Sequence, residues 1–237
     1  MQAMIFAAGL GTRFKPWTDK HPKALALVNG KSLLQRNIEY LQQYDISDVV
    51  VNVHHFADQL IKAIEINKGW GSRITISDER NEVLETGGGL KKAGPYLNSE
   101  NIVIINADIL TDLDLTAMSD YHQREQPLAT LAVTDRSTSR YFLFDTNNIM
   151  CGWRNTKTGE EKISRPADHL STKAFSGIHI ISKKLLPLLT QEGKFGIVDV
   201  YLGLSKTHII KSFDHSGSHF VDVGKPESVA IAERLFK

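Results

Sequence analysis

The sequence predicts an α/β fold, a mainly parallel sheet with helices on both faces and a small antiparallel region in its second half. Two observations lead there. Short, nearly continuous apolar runs alternate with helical patterns over the first hundred or so residues, as in strands buried on both faces. After about residue 125 the texture changes to short strand candidates separated by turn residues.

Residues 2–7 read as the first strand and run directly into a glycine turn. Leu33, Leu34, Ile38 and Leu41 recur at helical spacing within residues 32–44. Asp-Val-Val-Val-Asn-Val at 48–53 is a second strand, 57–66 a helix and 73–77 a strand. Three consecutive glycines at 87–89 read as a loop, with a helix beginning near Leu90. Ile-Val-Ile-Ile-Asn at 102–106 returns to strand, and Asp112 and Asp114 are candidate caps for a following helix. Ala129–Thr134, Tyr141–Phe144 and Ile149–Trp153 are the antiparallel candidates. Residues 175–181 form a buried strand, and 183–189 and 196–205 are helical in pattern. His219–Val223 is a last strand and 225–236 a closing helix. No repeat, linker or low-complexity tract interrupts the chain. It is therefore read as one domain of two parts, 1–125 and 126–237.

Twenty-eight basic residues against 27 acidic ones leave a net charge of +1, which argues against broad nucleic-acid or membrane-surface binding. The single cysteine, Cys151, has no partner for an internal disulfide, so a reducing compartment is the simpler setting. No apolar stretch approaches the roughly 20 residues needed to span a bilayer, and the start lacks a basic leader. A cytoplasmic protein acting on small molecules is expected; its oligomeric state is not legible.

In open parallel sheets, ligands sit beyond the carboxyl ends of the strands. That rule selects the loop after residue 7, the loop after residue 53, and Asn106-Ala107-Asp108. The first carries Ala8-Gly9-Leu10-Gly11-Thr12-Arg13, then Pro22-Lys23. Its glycines let backbone N–H groups face a phosphate, and Arg13 and Lys23 add positive charge. Phe14 occupies the third glycine position of a dinucleotide fingerprint, and no Gly-Lys-Ser/Thr is present, so both of those loops are excluded. His54 and His55 end the second strand. Adjacent side chains diverge on extended backbone, so they are read as polar packing and not as a zinc site.

Gly9-Leu10-Gly11-Thr12-Arg13-x-x-Pro16-x-Thr18 followed by Pro22-Lys23 resembles the signature of the sugar-1-phosphate nucleotidyltransferases, with Ala24 where relatives carry a second proline. The resemblance runs from Met4 to about Glu233. It implies a Rossmann-like nucleotidyltransferase fold of the glycosyltransferase-A-like kind, with Mg²⁺ as cofactor and a nucleoside triphosphate and a sugar 1-phosphate as partners. It places Ala8, Gly9, Gly11 and Thr12 on the nucleotide and makes Arg13 and Lys23 the catalytic cations. Asp108, in Asn106-Ala107-Asp108, and Asp222, in Asp222-Val-Gly-Lys-Pro-Glu227, become the metal ligands.

Glu85-Thr86-Gly87-Gly88-Gly89 resembles the base-contacting segment of a subgroup acting with UTP or GTP. Glu79 or Glu85 is then the acceptor for a ring N–H, with Gly88 beside the base. Phe175-Ser176-Gly177 resembles the sugar-side strand, so Asn106, Ser176 and Gly177 are assigned to the substrate. Arg165, in Ser164-Arg165-Pro166, stands where relatives have Glu-Lys-Pro and is the candidate for the sugar phosphate.

The subgroup favours UTP with N-acetylmuramate 1-phosphate, which implies a place in cell-wall recycling. GTP with mannose or heptose 1-phosphate comes next. A phosphocholine-type cytidylyltransferase and a non-catalytic nucleotide-sugar sensor are the other readings.

Overall fold

Alternate residues of a strand point to opposite faces, and in this chain both faces are apolar. A computed structural model describes residues 1–237 and shows where those faces go. In chain order, β1 (Gln2–Phe6) leads through the glycine loop to a small hairpin, β2 (Leu27–Val28) and β3 (Lys31–Ser32). Then come α1 (Leu33–Gln42), β4 (Asp48–Val53), α2 (Ala57–Ile66), β5 (Arg73–Asp78), α3 (Glu85–Ala93) and β6 (Asn101–Asn106). β6, β1, β4 and β5 lie side by side in that order, all parallel. Ala3 and Ile5 face a core built with Leu34, Ile38, Leu41 and Leu60, while Met4 faces another built with Leu90 and Tyr201. That two-sided burial is why these strands read as unbroken apolar runs.

The second half continues with β7 (Ile109–Thr111), α4 (Leu115–Glu125), β8 (Ala129–Thr134), β9 (Arg140–Phe144), β10 (Met150–Asn155) and β11 (Glu160–Ile163). β12 (Ser171–Ser182), α5 (Ile197–Leu204), β13 (Ile210–Asp214), β14 (Phe220–Asp222) and α6 (Glu227–Leu235) complete it. β12 is long enough to pair antiparallel with three strands, β6, β8 and β9, and so joins the antiparallel part to the parallel one. β14 pairs with β7, bringing the end of the chain beside the end of β6. Phe14, Val28, Leu33, Leu110, Val221, Val223 and Ala232 form a third core beneath the glycine loop.

Three expectations need correction. The glycines at 87–89 do not form a loop before a helix at Leu90; they lie in the first turn of α3, which begins at Glu85. Residues 183–188 form a 3₁₀ turn rather than an α-helix, as Pro187 within it removes a backbone donor. Asp114 caps α4, accepting from Thr116 N at 2.9 Å and Ala117 N at 3.1 Å. Asp112 does not share that role; it accepts from the backbone and the ring of His219 at 2.7 and 2.6 Å. β11 and β13 were not foreseen; β11 is exposed along its length, so it carries no apolar alternation.

Candidate active site

The carboxyl ends of β1, β4, β5 and β6 surround a cavity of about 510 Å³. Ala8, Gly9, Gly11, Thr12, Lys23, Glu79, Glu85, Asn106 and Asp108 all line it. The glycine loop is shaped locally. Gly11 takes φ +61°, and a Cβ there would stand 2.8 Å from Thr18 Cγ2. Thr18 Oγ1 in turn donates to Gly11 O at 2.9 Å, and Phe14 N to the same oxygen at 2.8 Å. The loop is tied to the neighbouring strand by Asn52, whose Oδ1 accepts from Ala7 N at 2.7 Å and Ala8 N at 3.3 Å.

Asp108 follows β6 and forms a close, largely buried ion pair with Lys23. Asp222 arrives on β14, opposite Ile109, and the next residue, Val223, donates its N–H to Asp108 O at 2.8 Å. The two carboxylates are thus placed by one short antiparallel pairing. Gly224 packs close beside them: a Cβ there would stand 2.7 Å from Asp222 Oδ1 and 2.9 Å from Arg13 Nη2, so a side chain would displace those groups. Asp222 keeps an open face to solvent, but chain crowds its carboxylate. That desolvation first, and then the charge of Asp108, push its pKa above the usual carboxylate range, against the pull of Lys23, Arg13 and Arg136.

Glu79 is buried at the wall of the cavity. Its Oε1 accepts from Asn52 Nδ2 at 2.8 Å, and its Oε2 is enclosed with no partner. Desolvation raises its pKa, partly offset by Asn52, Lys92 and His54. Glu85 lies at the mouth of the cavity, 3.4 Å from Lys194 of the other half of the chain. His54 and His55 are spent on backbone carbonyls, those of Glu79 and Thr18.

On β12, Gly177 takes φ +74°, and a Cβ there would stand 2.6 Å from Asn106 Nδ2, so β12 lies directly against Asn106. Ser176 is buried, with its hydroxyl 2.7 Å from His215 Nε2. Burial lowers the His215 pKa to about 4 and keeps the ring neutral.

Two assigned residues stand elsewhere. Gly88 is buried under Gly193, where a Cβ would meet the carbonyl at 2.4 Å, and its N–H goes to Phe195 O at 3.2 Å. The closeness that demands glycine is therefore to this chain, not to a base. Arg165 donates to Ser205 O at 3.1 Å and His208 O at 3.4 Å, just beyond the carboxyl end of α5. Its guanidinium caps a helix end and does not line the cavity.

Three residues at or near the site were missed. Asn52 carries no assignment from the sequence, though the loop just after its strand is one of the three selected places. Lys194 gave no signal, lying in an ordinary turn. Arg136 gave none either. It is half-buried over the Phe220 ring at 5.1 Å, donates to Phe175 O at 2.7 Å, and has an Nε with no partner.

A glycine-rich loop at a strand end, with two carboxylates brought together beside it, is matched by a family comparison over nearly the whole chain: the profile of the nucleotidyl transferases spans residues 2–234. The chain belongs to the nucleotidyl transferase family. This nucleotidyl transferase is 46% identical to the N-acetylmuramate alpha-1-phosphate uridylyltransferase of Caulobacter vibrioides, over 98% of the chain and 95% of that protein. It is 24% identical to the mannose-1-phosphate guanyltransferase of Yarrowia lipolytica, over 100% of the chain and 64% of that protein. Among solved structures it superposes on HddC from Yersinia pseudotuberculosis complexed with GMP-PN with a TM-score of 0.80, at 24% identity, covering 100% and 99% of the two chains. The transferase is a sugar-1-phosphate nucleotidyltransferase and acts on small molecules. No helix is long and apolar enough to cross a membrane.

Proposed function

We infer that the enzyme joins UTP to N-acetylmuramate 1-phosphate, releasing pyrophosphate and the UDP-sugar, in the cytoplasm. The observation that carries this reading is the 46% identity to a uridylyltransferase of that sugar along almost the full length of both chains. Arg136 adds support on the sugar side, since N-acetylmuramate bears a carboxylate and this half-buried cation keeps an unspent donor.

The reaction is an in-line displacement. An anionic oxygen of the sugar phosphate attacks the α-phosphorus, and the bond to the departing pyrophosphate breaks. The nucleophile is already charged, so no general base is needed, and positioning and charge stabilisation supply the acceleration. Gly9, Gly11 and Thr12 present the loop to the phosphates. Arg13 neutralises the leaving pyrophosphate. Lys23 exchanges its bond to Asp108 for the α-phosphate or sugar phosphate. Asn106 and Gly177 bound the sugar side, and Glu79 accepts the ring N–H of the base.

Asp108 and Asp222 fit a magnesium ion, which takes one or two carboxylates and completes its shell with waters and substrate phosphates. No group of three or more His, Cys, Asp or Glu side chains gathers into an all-protein metal cage, and the crowded Asp222 carries charge that a cation would offset. Bound there, magnesium would withdraw charge from the phosphate oxygens.

The test is pyrophosphate release with Mg²⁺, crossing UTP, GTP, CTP, dTTP and ATP with N-acetylmuramate, mannose, glucose and heptose 1-phosphates and phosphocholine. UTP with N-acetylmuramate 1-phosphate is expected to be the productive pair and to be lost on Asp108→Asn. A different productive pair would replace this substrate assignment, and silence across the panel with intact nucleotide binding would favour a sensor.

A further inference from the structure

Asn52 bridges the glycine loop and Glu79 and can adopt only one amide orientation. Its Oδ1 takes the N–H groups of Ala7 and Ala8, which are donors only, so Nδ2 must face Glu79. Nδ2 then occupies Glu79 Oε1 at 2.8 Å. Gly89 closes the same atoms from another side, because a Cβ there would stand 2.8 Å from Oε1 and 2.9 Å from Nδ2. One carboxylate oxygen is therefore spent and walled in. The other, Oε2, is buried and unpaired on a residue 1% exposed.

We propose that Asn52 is a positioning residue that sets the hydrogen-bonding polarity of the base edge, leaving Oε2 as the one free acceptor of the Glu79 carboxylate and so selecting uracil over guanine and cytosine. Uracil presents one ring N–H between two carbonyls, which a single acceptor satisfies. Guanine presents a ring N–H beside an exocyclic amino group, and that pair calls for both carboxylate oxygens. Cytosine presents a bare ring nitrogen, which a carboxylate oxygen repels. The inference rests on the assignment of Glu79 to the base edge.

The polarity can be turned over by substitution. In Glu79→Gln, Asn52 still donates, so the oxygen of the introduced amide must face Asn52 and its amino group must face the ligand. UTP affinity, measured calorimetrically on the full chain with Mg²⁺, is expected to fall on the order of 100-fold, with CTP becoming the preferred nucleotide. Adding Asn52→Asp keeps an acceptor for the loop amides and supplies a second one for the introduced amino group. The introduced amide oxygen then returns to the ligand, and preference for UTP over CTP returns with it. Adding Asn52→Ala instead frees the introduced amide to turn, bringing UTP and CTP to within about 10-fold of each other, since neither face is then held.

The two layers fail differently. Unchanged affinities for UTP, CTP and GTP in Glu79→Gln would remove Glu79 from the base edge. Inverted preference in Glu79→Gln that persists in both double variants would keep Glu79 there and overturn the role of Asn52. If the Asn52→Asp double variant does not fold, the Asn52→Ala double variant decides alone.

Discussion

Asp222 is held at a cost. Crowding and the neighbouring Asp108 both disfavour its charge, so under the proposed metal-binding role its carboxylate serves the reaction more than the fold. Asp222→Asn is therefore expected to leave the melting temperature unchanged or raise it, while pyrophosphate release falls on the order of 100-fold or more. A melting temperature that dropped while turnover survived would reverse the assignment. Arg136→Met is expected to raise the KM for N-acetylmuramate 1-phosphate about 10-fold or more, the scale of a lost charged hydrogen bond. The KM for UTP should hold in the same assay; an equal rise in both would make Arg136 a support for Asp222 instead. Arg13, Lys23, Asp108 and Asp222 could be singled out from the sequence because each sits in a short run with a local backbone reason, and the structure pairs Lys23 with Asp108 and sets Asp222 near them. Asn52 and Arg136 were not, because what gives each its meaning is another segment of chain. Arg165 shows the reverse, a charged residue with the right neighbours in sequence and backbone carbonyls for partners in space.

At the scale of elements, the start of α3 departs most from expectation. Glycine is a poor helix former, so three in a row read as loop. The structure offsets that weakness from outside: Phe195 O accepts from Gly87 N at 2.9 Å and Gly88 N at 3.2 Å, and Ile197 N donates to Thr86 Oγ1 at 3.0 Å. The glycines are needed because a Cβ at 87 would stand 2.4 Å from the Phe195 ring, and one at 88 as close to a carbonyl oxygen. Gly88→Ala faces backbone, which cannot swing away, and is expected to cost about 1–3 kcal/mol, the usual range for overpacking. At this chain length that lowers the melting temperature by roughly 2–4 °C per kcal/mol. A thermal melt equal to the parent's would mean that residues 193–197 are not docked as described. The strands were easier to read, since two apolar faces leave a pattern that no distant partner alters.

Across the molecule, stability should depend on pH through histidines sealed in the core. His122 and His179 are buried, and desolvation lowers their pKa values to about 4 and about 3. Unfolded, each titrates near 6.5. Between those values the unfolded chain binds more protons than the folded one, so stability rises with pH across that window. It is complete above roughly pH 6.5 and is lost as the pH falls toward 4. Melting temperatures recorded from pH 7 down to pH 4.5 should fall, and His122→Asn should flatten the fall. An unchanged slope in that variant would mean that His122 gains its proton without opening the fold. The parallel part of the sheet was legible at this scale, but its outer strands β11 and β13 and the threefold pairing of β12 were not, because a strand's sequence does not state how many neighbours it has.

The docking of residues 193–197 onto α3 has a consequence for hydrogen exchange. The amide protons of Gly87 and Gly88 are held by a carbonyl from the other half of the chain, so they reach solvent only when that segment lifts. Their deuterium uptake is a clock for its opening.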